Sequence, residues 1–128
     1  MENKIYLFLD DVRMPQVCVN YMKRRIGGLC NIYVNYDWLI VRNYDDFVAA
    51  VKKHANNIAI VSFDHDLADA HYDPKTWTQG FKYQEKTGYE CAEFLKQYYE
   101  ENKFELPNLF IHSMNPVGTE RIRNLFKF

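Results

Sequence analysis

The sequence has no apolar run approaching the roughly 20 residues that a helix needs to cross a bilayer. Glu2, Asn3 and Lys4 ahead of Ile5 are polar or charged, without the apolar stretch of a secretory leader, so a soluble chain is expected. An excess of either charge is also missing: 16 Lys and Arg stand against 17 Asp and Glu, a formal net charge of −1. That balance offers no overall cationic field to a polyanion, so bulk nucleic-acid binding is not expected, although a local patch can still hold a phosphate. Cysteine is scarce. Cys18, Cys30 and Cys91 are odd in number and have no paired metal-ligand spacing, which argues against a disulfide framework or a thiolate zinc site. Free thiols in a reducing cytoplasm are expected, with a Cys18–Cys30 bridge as the alternative. Repeats, linkers and low-complexity stretches are absent as well. The 128 residues, 48% of them hydrophobic, are read as a single domain over 1–128 with one continuous core.

What is present is a series of short apolar runs that stop at polar clusters. Ile5 to Leu9 reads as a strand covered on both faces and ends at Asp10 and Asp11. Pro15 then disfavours a helix continuing from that turn. Residues 16–36 carry basic Lys23, Arg24 and Arg25 and are broken by Gly27 and Gly28; a short helix followed by a strand at Cys30 to Val34 is the reading preferred. Trp38 to Arg42 reads as a strand, and Asn43 with Asp46 has the spacing of a helix cap and its third-position acid. That helix should end near Asn56 and Asn57. Ile58 to Phe63 is a third apolar run, again ending in acid at Asp64. Residues 66–86 show no sustained period and read as a long excursion, whose Tyr72, Trp77, Phe81 and Tyr83 either pack on the domain or stack on a base. Thr87 and Glu90 form a capping box ahead of Cys91, Phe94, Leu95 and Tyr98 at helical spacing. Leu109 to Ile111 supplies another short strand, and a last helix starts near Val117 to Thr119, burying Ile122, Leu125 and Phe126.

Strands alternating with helices predict an α/β fold, with a mostly parallel sheet of four or five strands and helices on both faces. In such sheets ligands gather beyond the carboxyl ends of the strands. Three polar clusters should therefore converge: Asp10 with Asp11 and Arg13, Asp64 with His65 and Asp66, and His112 with Ser113 and Asn115. An isolated Asp-Asp pair usually just caps a turn, but several carboxylates brought together need a cation or protons. Oxygen-rich ligation by Asp10, Asp11 and Asp64 suits Mg²⁺ or Mn²⁺ better than zinc. His65 and His112, with Asp66 beside them, are the candidate acid–base groups. Ser113, Asn115 and Arg13 could meet phosphate oxygens, together with the helix start after Pro116; the plainer readings are a helix cap for Asn115 and an aspartate pair for Arg13.

The stretches Leu7 to Pro15, Val41 to Asp45, Phe63 to Leu67, Thr87 to Tyr89 and His112 to Gly118 together resemble the cyclic-phosphate-processing receiver-like family, across nearly the whole chain except 16–36. The resemblance implies a receiver-like, flavodoxin-like three-layer sandwich that binds and hydrolyses a cyclic phosphate on a nucleotide or RNA end. By the same resemblance Asp10 and Asp11 match the first acidic pair, Asp64, His65 and Asp66 the middle motif, and His112, Ser113 and Asn115 the last. The chain is more distantly similar to phosphorelay receivers, whose final strand and lysine have no counterpart after Phe126; a phosphorylation switch at Asp64 is therefore not expected. The functional expectation is a metal-assisted phosphoesterase acting on a small phosphorylated ligand, nucleotide or RNA end. The alternative is a non-catalytic module that senses such a ligand or docks a protein.

Overall fold

Each apolar run that ends in acid becomes a strand, and all of them point the same way. The computed structural model describes residues 4–11, 13–64, 87–113 and 115–126. Within them β1 (Ile5–Leu9), β2 (Trp38–Val41), β3 (Ile58–Phe63) and β4 (Asn108–Ile111) form a four-stranded sheet in the order β2-β1-β3-β4, with every neighbouring pair parallel. Parallel neighbours need crossovers, which helices supply. The helices are α1 (Cys18–Ile26), α2 (Ile32–Asn35), α3 (Tyr44–His54), α4 (Gly88–Glu101) and α5 (Pro116–Phe126).

Successive strand residues point to opposite faces, and this sorts the core into two layers. Leu7, Leu9, Val61, Phe63 and Ile111 face α3, α4 and α5, packing with Phe47, Val51, Leu95, Tyr99 and Ile122. Phe8 faces the other way, into a smaller cluster with Cys18 and Met22 from α1, Cys30 from the turn after it and Tyr33 from α2. The result is the expected three-layer α/β sandwich of receiver type. Cys18, Cys30 and Cys91 are buried and not joined in a disulfide, and among the described residues no helix is long and apolar enough to cross a membrane.

The helix starts follow local chemistry. Asn43 Oδ1 accepts the backbone N–H of Asp46 at 2.8 Å and caps α3. Thr87 Oγ1 accepts the N–H of Tyr89 at 3.2 Å, while Glu90 Oε2 accepts both the backbone N–H of Thr87 at 2.8 Å and its hydroxyl. Burial alone would push the Glu90 carboxyl up, but its bonds to Thr87 outweigh this and hold it below its ordinary value.

One element departs from expectation. Residues 30–34 are not a strand: Gly27, at φ +58°, ends α1, a tight turn covers Gly27–Asn31, and α2 follows. A strand would bury alternate residues, yet the buried ones are Cys30 and Tyr33, three apart, while Val34 is exposed. Residues 65–86, with the long excursion read there, lie outside the described residues.

Thr87→Ala should lower the unfolding free energy by about 1 kcal/mol in urea titrations. The depressed Glu90 value contributes stability that is present above the ordinary carboxyl value of 4.5 and lost as pH falls through its folded value. Glu90→Gln should accordingly show a shallower acid-unfolding profile below about pH 4.5.

Candidate functional site

The level register of the sheet places the first residue after each strand. Leu9, Phe63 and Ile111 are aligned across β1, β3 and β4, and the ladder runs one step further: Asp64 N–H donates to Leu9 O at 2.9 Å and His112 N–H to Phe63 O at 2.9 Å. On the other side Asp10 N–H donates to Val41 O at 3.1 Å. By the pleat, Asp10, Asp64 and His112 share the face of Phe8 and Ser62, toward α1 and α2. Carboxylate oxygens of Asp10, Asp11 and Asp64 then lie within 4.8 Å of one another, with Asp10 and Asp64 buried. Two unit negative charges about 5 Å apart repel by about 3 kcal/mol at an effective dielectric constant of about 20. Such a cluster of oxygens is suited to a hard cation, with no nitrogen or sulfur among its three donors.

Arg13 sits against this cluster. Its backbone N–H donates to Asp10 Oδ1 at 2.9 Å, and its guanidinium lies 3.2 Å from Asp10 Oδ2 and 3.6 Å from Asp64 Oδ2. Burial works against the Arg13 charge, but Asp10 and Asp64 outweigh it and raise its value further. Arg42 closes the loop from behind, its guanidinium donating to the carbonyls of Asp10 at 3.2 Å and Arg13 at 2.8 Å.

His112 is brought to the acids, but on their protein side. The ring is fully buried and stacks on Phe8 with centroids 4.3 Å apart. Nε2 meets Asp10 Oδ2 at 3.1 Å, and Nδ1 meets Ser62 Oγ at 2.7 Å. Ser62 Oγ in turn meets Tyr33 Oη at 2.7 Å. Burial holds the His112 value below its ordinary 6.5 even with Asp10 beside it. Both ring nitrogens of His112, read from the sequence as a candidate acid or base, are thus engaged inside the protein, by Asp10 and Ser62.

Ser113 and Asn115 are engaged with the turn that follows β4, Asn115 in the helix-cap position read for it. Ser113 is fully buried, and its Oγ accepts the Asn115 N–H at 3.1 Å. Asn115 Oδ1 accepts the Gly118 N–H at 3.0 Å and caps α5. They shape the turn from β4 into α5. His65 and Asp66 lie outside the described residues.

Sequence reasoning missed the contribution of residues 16–36. Tyr21 donates its hydroxyl to His112 O at 2.7 Å, and Arg25 donates to Ser113 O at 2.7 Å, so α1 holds the turn after β4 in place. Tyr33 adds the buried hydroxyl behind Ser62. The available signal was Ser62 itself, a lone hydroxyl in an apolar strand one pleat position before Asp64. A buried hydroxyl needs a partner.

The family model for the cyclic-phosphate processing receiver domain matches residues 5–128. No curated protein and no solved structure matches the chain. With nearly the full length covered, and the acidic strand ends gathered as described, the chain belongs to the cyclic-phosphate processing receiver domain family.

Proposed function

We propose that this domain is a metal-assisted phosphoesterase that hydrolyses a cyclic phosphate on a nucleotide or RNA end. The observation that carries the reading is the cluster of three carboxylates, Asp10, Asp11 and Asp64, within 4.8 Å at the carboxyl edge of a parallel sheet. Those residues would hold Mg²⁺ or Mn²⁺. When bound, such an ion supplies Lewis-acid polarisation of a phosphoryl oxygen.

The protein's own groups take the remaining tasks. Arg13, whose side chain is about a quarter exposed at 24%, has charge and N–H groups to offer a phosphate oxygen at the rim. His112 keeps Asp10 in place. The proton-transfer work then falls to His65, which directly follows Asp64 in the chain, with Asp66 as its neighbour. Hydrolysis forms one new bond from a water oxygen to phosphorus and breaks one ring P–O bond, and the departing oxygen takes up a proton. The family supplies the substrate class, since its description concerns the processing of cyclic phosphates. A small phosphorylated ligand or an RNA end also fits a chain whose net charge is −1, because recognition rests on a local site and not on a cationic surface.

The test is a hydrolysis screen over 2′,3′- and 3′,5′-cyclic nucleotides and cyclic-phosphate RNA ends. Turnover should vanish in EDTA and return with Mn²⁺, and Asp64→Asn should lower kcat/KM by about 100-fold or more. Binding of the same panel by calorimetry without turnover would replace the enzyme reading with a sensing module. Arg13→Ala should reduce kcat/KM by about 10- to 100-fold, the loss of one or two charge-assisted bonds. In divalent-free buffer, relief of repulsion should raise the thermal midpoint of Asp11→Asn about 2–6 °C above wild type, and added Mg²⁺ should reverse that order.

A further inference from the structure

We infer that Tyr33 and Ser62 are positioning residues of the acidic site, acting through His112 to set the orientation of Asp10. The inference rests on the reading of Asp10 as a cation ligand.

The hydrogens of this buried chain can be placed by counting donors. Asp10 as a carboxylate only accepts, so the His112 nitrogen 3.1 Å from it, Nε2, has to carry the proton. A second ring proton, on Nδ1, would leave three protons, those of Nδ1, Ser62 and Tyr33, for the two contacts Nδ1–Ser62 and Ser62–Tyr33, so Nδ1 is bare and accepts from the Ser62 hydroxyl at 2.7 Å. Ser62 has spent its one proton, so the contact of its oxygen with Tyr33 at 2.7 Å is a bond donated by Tyr33. Every donor is used: Tyr33 to Ser62, Ser62 to His112, His112 to Asp10. Running the chain backwards would have Tyr33 accept from Ser62, and among the described residues its hydroxyl has Ser62 as its one hydrogen-bond partner. A buried hydroxyl proton left without an acceptor costs about 1–3 kcal/mol. It would also turn a bare Nε2 lone pair toward the carboxylate.

The direction of the chain matters because a neutral imidazole has two tautomers, and only one of them holds Asp10. Tyr33 is 1% exposed, and Ser62, His112 and Asp10 are fully buried, so water does not substitute for a missing link. Phe8 stacks on the imidazole and fixes the ring plane, leaving the choice of tautomer to Ser62. Asp10 is gripped at both oxygens, by the Arg13 N–H on Oδ1 and by His112 on Oδ2. A carboxylate held this way meets a cation without first losing torsional freedom. Tyr33 lies on α2, so the segment between β1 and β2 reaches the site through this hydroxyl as well as through Tyr21 and Arg25.

The experiment uses the full chain, ¹⁵N-labelled, as wild type, Ser62→Ala, Ser62→Thr and Tyr33→Phe. Long-range ¹H–¹⁵N spectra report the His112 tautomer, calorimetry reports Mn²⁺ affinity, and thermal melts report folding. Wild type should carry the proton on Nε2. Ser62→Ala should mix the tautomers and weaken Mn²⁺ binding about 10-fold, Tyr33→Phe should shift both in the same direction by less, and Ser62→Thr should restore both. A purely structural role would lower melting temperatures while leaving the tautomer and the affinity where they were. The inference is overturned by a wild-type ring protonated on Nδ1, or by folded Ser62→Ala and Tyr33→Phe proteins that keep the wild-type tautomer and bind Mn²⁺ within about twofold of wild type. If Ser62→Ala does not fold, Tyr33→Phe, which keeps the ring, decides. If wild type binds no Mn²⁺, the phosphoesterase reading fails, and the tautomer in the variants decides the role of Ser62 and Tyr33 separately.

Discussion

Three carboxylates at one sheet edge repel one another, and much of the surrounding structure can be read as the means of holding them together. Asp10 and Asp64 are delivered by backbone ladder bonds at the ends of β1 and β3, where the chain has no freedom to swing them apart. Arg13 brings one positive charge to within 3.2 and 3.6 Å of two of them. Arg42 ties the carbonyls of the same loop. Concentrating like charge in this way costs folding free energy, and a protein keeps such an arrangement where function uses the field it creates. The apolar layer beneath offsets the cost: Leu7, Leu9, Val61 and Phe63 are fully buried directly under the acidic edge.

The two faces of the sheet do different work. On the side of α3, α4 and α5 the contacts are almost entirely apolar, as a core needs. On the side of α1 and α2 the apolar cluster is small, and a polar chain from Tyr33 to Asp10 runs along it. Buried polar networks are stabilising only when every member is satisfied, which makes them specific as well as demanding. Here the members come from α2, β3, the end of β4 and the end of β1, so no single segment can form the network alone.

This arrangement also bears on what His112 can reach. A histidine at a strand end in an α/β protein is an obvious candidate for proton transfer, but transfer to substrate requires reach. His112 is fully buried between Asp10 and Ser62 and stacked on Phe8, facing into the protein. Ser113 and Asn115 serve the turn into α5 in the same spirit. The described residues of the motif around His112 thus meet the protein's own groups, Asp10 at the end of β1 among them.

Much of this was legible in the residues themselves. Apolar runs that stop at Asp10, Asp64 and His112 announce buried parallel strands, because only a strand covered on both faces reads as a continuous hydrophobic run. Asn43 and Thr87 mark their helices for a local reason: an orphan N–H finds the nearest side-chain oxygen, and that needs no tertiary contact. Residues 30–34 were misread because tyrosine, isoleucine and valine suit a strand as well as a helix, and only the packing of Cys30 and Tyr33 against Phe8 decides between them. The sequence by itself determined which residues end the strands and hence which acids can gather. Only the tertiary structure decided which way His112 faces, because that depends on Tyr33 and Ser62, 29 positions apart in the chain and joined by one buried hydrogen bond.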